Sequence, residues 1–143
     1  MKIEEKDNLI TINDSICILK NIKDLNCLKN IESNKTLILN KYDQTVDYTK
    51  IIELSKINRF NLVFVNSKEK FPLSFPHPVK EKNTVLEMNN ITIKFLYSSL
   101  TDINSLLIHN NDILILLSVE KDIKENKLIK ELSEKVDLNY IFA

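Results

Sequence analysis

The chain has 143 residues, 43% hydrophobic and 28% charged, and its 20 basic and 20 acidic residues give a formal net charge of zero at pH 7. These values predict one globular domain, residues 1–143, without an overall field that would favour nucleic acid or an anionic membrane. The absence of glycine excludes P-loop and dinucleotide-binding proteins, which need glycine next to the phosphate. The abundance of Asn, Ile and Lys indicates an AT-rich codon bias, so the missing glycines say little else about activity.

Neither export nor membrane insertion is predicted. The apolar run Ile113–Val119 is too short to cross a bilayer, and the N-terminal MKIEEKDN is charged where a signal peptide would become apolar. Cys17 and Cys27 are predicted to be buried free thiols, since a metal site needs more ligands at closer spacing. We therefore expect a cytoplasmic protein.

A two-stranded hairpin is predicted at the start of the chain. Leu9–Ile12 and Ser15–Leu19 are short apolar runs on either side of Asn13 and Asp14. After glycine, asparagine is the residue that best accepts the positive φ of a tight turn. The apolar residues that follow recur at helical spacing and predict a short helix: Ile22, Leu25, Leu28 and Ile31.

The region between residues 35 and 66 predicts a strand, a helix and a second strand. Thr36–Leu39 and Leu62–Val65 are apolar without alternation, as in parallel strands that are covered on both faces. An amphipathic crossover helix, capped by Asp47 or Thr49, is predicted between them. Its apolar face is predicted to carry Ile51, Ile52, Leu54 and Ile57. The loop over residues 40–46 then lies at the carboxyl end of the first strand, where open α/β sheets usually place their chemistry.

The second half predicts hairpin strands, a helix and a last strand. Residues 66–83 contain three prolines within seven residues and predict an ordered loop. A helix is expected over Asp122–Lys135, with Asp122 as its cap, before a final strand over Leu138–Phe142. Four strands are expected before that helix, the first and last pairs joined by turns at Asn89-Asn90 and Asn110-Asn111: Thr84–Met88, Ile91–Tyr97, Ser105–Ile108 and Ile113–Leu117. The predicted fold class is therefore α/β, with mixed sheets, a hairpin start and one βαβ crossover.

Two segments resemble the metallo-β-lactamase-like domain at the C-terminus of the ComEC family of competence proteins, which take up DNA. LILNKYDQTVDYTKIIEL, Leu37–Leu54, is similar to that family's strand, His-x-His-x-Asp-His motif and helix. NSLLIHNNDILILLSVEKD, Asn104–Asp122, is similar to its Asn-Ser-Leu strand, turn, and strand ending in Thr-Gly-Asp. The resemblance implies part of an αββα sandwich.

The metal ligands of that family do not carry over to this sequence. Lys41, Asp43, Thr45 and Val46 stand where the motif has His, His, Asp and His, and Glu120 stands where the bridging Asp would be. A lysine opposes a divalent cation through like charge, and a valine offers no lone pair. The resemblance therefore implies a degenerate site at Lys41, Asp43 and Glu120, with no catalytic residue, metal or cofactor.

Three functions are compatible with this sequence. The first is a non-enzymatic interaction module linked to DNA uptake, which binds a protein partner or associates with itself through an exposed edge strand of a shortened fold. The second is a metal-dependent phosphodiester hydrolase with an unusual site built from Asp43, Glu120 and His77. The third is a single-stranded DNA-binding module that uses Lys41 with Tyr42 or Phe75, although the net charge does not support nucleic acid as a partner.

Overall fold

The computed structural model describes residues 2–39, 43–65, 79–80, 85–88, 90–97, 104–110, 114–118, 124–125 and 127–142. The chain forms two compact units, Met1–Glu81 and Lys82–Ala143. The described residues of each unit form one mixed sheet and one α-helix, so the predicted α/β class is confirmed. That the chain behaves as one domain, and that its sheets form part of a metallo-β-lactamase-like sandwich, stay predictions.

The described strands of the first unit form a six-stranded sheet in the order β1-β2-β3-β4-β5-β6. The pairs β1–β2 and β2–β3 are antiparallel, and the pairs β3–β4, β4–β5 and β5–β6 are parallel. The predicted hairpin and the parallel pair around the crossover helix are therefore confirmed. The strands are β1 (Ile3–Lys6), β2 (Leu9–Ile12), β3 (Ile16–Leu19), β4 (Thr36–Leu39), β5 (Asn61–Val65) and β6 (Val79–Lys80).

Two tight turns with positive φ build the start of this sheet. Asn13 and Asp14 join β2 to β3 with φ of 51° and 56°, as predicted, and Asp7 and Asn8 join β1 to β2 with φ of 48° and 71°. The strand β1 was not predicted, because three of its four residues are exposed and charged. The strand β6 was also not predicted, and the rest of the expected proline loop lies outside the described residues.

The helix expected over residues 22–31 is limited to a 3₁₀ helix, Asn26–Asn30. Before this helix, two side chains accept hydrogen bonds from nearby backbone N–H groups. Asn21 Oδ1 accepts from Lys23 N at 3.1 Å, and Asp24 Oδ1 accepts from Asn26 N at 3.2 Å. Such local bonds offer the backbone an alternative to helix formation. The apolar residues of this segment still pack into the core of the first unit, where Leu28 is fully buried.

The crossover helix α1 (Tyr48–Asn58) begins as predicted, with Asp47 Oδ1 accepting from Thr49 N at 3.1 Å. Its buried residues are Tyr48, Ile51, Ile52 and Ser55. The prediction that Ile57 belongs to this face is wrong, since its side chain is 74% exposed. At about 100° per residue, a spacing of three drifts around the helix, and Ile57 lies about 170° from the centre of the buried face.

Among the residues described in the second unit, five strands form a sheet in the order β11-β10-β9-β8-β7. All neighbours pair antiparallel except β10 and β11, which are parallel and are connected through α2 (Lys127–Lys135). The prediction of one βαβ crossover is therefore incomplete, because β10, α2 and β11 form a second one. The strands are β7 (Val85–Met88), β8 (Ile91–Tyr97), β9 (Asn104–His109), β10 (Leu114–Ser118) and β11 (Leu138–Phe142).

The five strands predicted for the second half are confirmed, and within the described residues no strand end differs from its predicted position by more than one residue. Asn90 has a φ of 65°, as expected for the turn before β8. The helix begins later than predicted, at Lys127, and its expected cap Asp122 lies outside the described residues. Ile129 packs from α2 onto Leu116 of β10.

Both cysteines are buried free thiols, as predicted. Burial raises the pKa of the Cys17 thiol and of the Cys27 thiol above their ordinary values, which makes both weak nucleophiles at neutral pH. Among the helices that the structure describes, none is long and apolar enough to span a membrane.

Candidate functional site

The predicted site lies in the loop that connects the carboxyl end of β4 to α1. The structure describes this loop from Asp43 onward. The loop is closed by a hydrogen bond from Val46 N to the carbonyl oxygen of Asp43, 3.1 Å long, which makes residues 43–46 a turn. Asp47 follows as the cap of α1, so the described part of the loop continues directly into the helix.

The carboxylate of Asp43 is the centre of this loop. Its Oδ1 accepts two hydrogen bonds from Thr45, one from the backbone N at 2.8 Å and one from Oγ1 at 2.6 Å. Its Oδ2 lies 3.7 Å from Lys23 Nζ. The Asp43 side chain is 22% exposed, whereas that of Lys23 is 66% exposed. The carboxylate is thus held in the loop, and the lysine that faces it is largely in solvent.

These contacts stabilise the charged form of Asp43. The hydrogen bonds from the Thr45 hydroxyl and the Thr45 backbone, with a smaller contribution from the Lys23 charge, lower the pKa of this carboxyl below its ordinary value. Asp43 is therefore an anion at neutral pH. A general acid needs a pKa nearer the working pH, so the arrangement does not suit Asp43 for that role.

Tyr48 joins the loop to the core of the first unit. Its hydroxyl accepts a hydrogen bond from Asp43 N at 2.7 Å. Its ring is buried and packs edge-on against Phe64 of β5, with 5.9 Å between ring centroids. Tyr48 therefore fixes the position of Asp43 relative to the sheet, and no short sequence motif predicts this contact.

The other residues aligned with the metal motif have different environments. Thr45 uses its hydroxyl on Asp43, and Val46 is partly buried and packs against the hydrophobic core of the first unit. Lys41 and Glu120, which the resemblance implies for the degenerate site, lie outside the described residues. So do His77, Tyr42 and Phe75, so the roles proposed for them in hydrolysis and DNA binding stay predictions.

Across the described ranges, no group of three or more His, Cys, Asp or Glu side chains is arranged to hold a metal ion. The carboxylate nearest to Asp43 in sequence is that of Asp47, and one of its oxygens caps α1. The described part of this loop, from Asp43 onward, therefore offers a fixed anion with a neighbouring ammonium group rather than a set of metal ligands with open positions.

Comparison with known proteins assigns no family to the chain. No protein-family model matches it, and no curated protein matches it. The resemblance to the ComEC metallo-β-lactamase-like domain therefore stays a prediction.

Proposed function

We propose that the protein is a catalytically inactive interaction module, built on a metallo-β-lactamase-like scaffold and linked to DNA uptake. The observation that supports this proposal is the state of the Asp43 carboxylate in the loop that follows β4. In the family that the sequence resembles, this loop supplies metal ligands. Here, Asp43 Oδ1 accepts two hydrogen bonds from Thr45 of the same loop, and Asp43 Oδ2 faces the Lys23 ammonium group.

The hydrogen bonds of Asp43 compete with metal binding. A divalent cation would have to take lone pairs that now accept hydrogen bonds from Thr45, or approach Oδ2 where the Lys23 ammonium stands. The first route breaks two bonds to a charged acceptor, which are stronger than neutral ones. The second adds repulsion between like charges, although solvent weakens that term at an exposed lysine.

The neighbouring positions support the same proposal. A catalytic zinc site normally has three protein ligands and an open position. Val46 has no lone pair and its side chain serves the core, and the Thr45 hydroxyl is committed to Asp43. A hydrolase that used residues 43–46 would need its remaining ligands from outside this described segment, and the present contacts of Asp43 would have to change.

A phosphodiesterase assay tests this proposal against the rival hydrolase. Wild-type protein is assayed on bis-p-nitrophenyl phosphate with added Zn²⁺ or Mn²⁺, beside Asp43→Asn and a control variant, Glu53→Gln, which alters an exposed carboxylate on α1. We expect equal, background-level rates in all three proteins. A metal-dependent rate that is lost in Asp43→Asn and kept in Glu53→Gln would overturn the proposal.

We further propose that the module associates with a second copy of itself through β11. The edge strand β1 of the first unit carries exposed Glu4, Glu5 and Lys6, and charged side chains on an edge discourage pairing with another chain. The strand β11, Leu138–Phe142, lies at one edge of the second sheet as far as the described residues show, and its sequence has no charged side chain. It is therefore the less protected of these two edges.

Light scattering across a range of protein concentrations tests this association. We expect wild-type protein to form dimers as its concentration rises. The variant Asn139→Lys places a charge at an exposed position of β11 and should shift the equilibrium to monomer. The control Glu4→Lys, which keeps β1 charged, should behave as wild type. Monomer at every concentration, or equal dimerisation in both variants, would contradict pairing through β11.

A further inference from the structure

We draw no further inference here: the strongest candidate, the surface of the second sheet where Val85, Glu87 and Lys94 stand exposed on β7 and β8, carries nothing because no described residue shows what would cover it.

Discussion

Asn8 holds the turn between β1 and β2 against the segment that follows β3. Its Nδ2 donates to the carbonyl oxygens of Asn21 and Asp24, each at 2.8 Å, and its Oδ1 accepts from Asn21 N at 2.8 Å. Its backbone has a φ of 71°, which glycine accepts freely and alanine does not. Asn8→Gly removes the three side-chain hydrogen bonds but still allows the positive φ, whereas Asn8→Ala removes the same bonds and also strains the backbone. Comparing the two variants therefore separates the energy of the hydrogen bonds from that of the backbone conformation.

The expected loss of unfolding free energy in each variant follows from the hydrogen bonds that are removed and from the backbone conformation at position 8. Each intramolecular hydrogen bond contributes about 0.5–1.5 kcal/mol, and solvent exposure favours the lower half of that range, so three bonds give about 2 kcal/mol. Glycine increases the loss by about 0.5–1 kcal/mol, because it raises the conformational entropy of the unfolded chain. We expect Asn8→Gly to lose about 2–3 kcal/mol of unfolding free energy. Asn8→Ala should lose about 1 kcal/mol more, because alanine is strained at positive φ.

Urea unfolding monitored by circular dichroism measures these differences. Asn34 provides a matched control: its φ is 68°, and within the described part of the chain its side chain has no hydrogen bond. Asn34→Gly should therefore change the unfolding free energy by less than about 1 kcal/mol. Equal losses in Asn8→Gly and Asn34→Gly would refute the reasoning, because the side-chain bonds of Asn8 would then contribute nothing.

Two further predictions concern α1 and the loop before it. Because the pKa of Asp43 is lowered on folding, its contribution to stability is complete above the unfolded-state pKa and is lost as pH falls through the folded-state pKa. In an NMR titration, Thr45→Val should raise that pKa more than Lys23→Met does, and the reverse order would contradict the assigned causes. Ile51→Ala should cost about 2–5 kcal/mol because Ile51 is fully buried, whereas Ile57→Ala should cost less than about 0.5 kcal/mol because Ile57 is 74% exposed. Similar losses in urea unfolding would show that the buried face of α1 is assigned wrongly.

The sequence was informative where structure is decided by neighbouring residues. The hairpin around Asn13 and Asp14 follows from turn chemistry between two apolar runs, and the cap at Asp47 follows from its short acceptor side chain. The parallel pair β4 and β5 follows from two apolar strands separated by a helix. In each case the deciding interactions lie within a few residues or within one supersecondary unit.

The predictions failed for Ile57 and for β1, where the spacing of apolar residues does not indicate which residues are buried or paired. Ile57 continues a spacing of three but rotates away from the core, and the buried face is completed instead by the polar Ser55, whose hydroxyl donates to the Ile52 carbonyl oxygen at 2.6 Å. The strand β1 lies at the edge of its sheet, where charged side chains are common. A short charged segment has the same composition as a loop, so its sequence did not predict a strand.

At the candidate site, the position was predictable but the contacts were not. Asp43 was expected at the end of β4 because parallel strands place loops there. Its contacts with Lys23 and with Tyr48 depend on how the turn after β3 and the ring of Tyr48 pack in the folded unit. Lys23 is twenty positions away in sequence, and no local pattern indicates that the two residues meet.

Metal content is the most direct test of the claim that the loop around Asp43 does not serve as a metal site. Purified wild-type protein, Asp43→Ala and the control Glu53→Ala are each incubated with excess Zn²⁺ or Mn²⁺, dialysed, and examined by elemental analysis. We predict the same content in all three proteins, well below one metal ion per chain. Stoichiometric metal in wild type and Glu53→Ala, lost in Asp43→Ala, would contradict the account and favour the hydrolase.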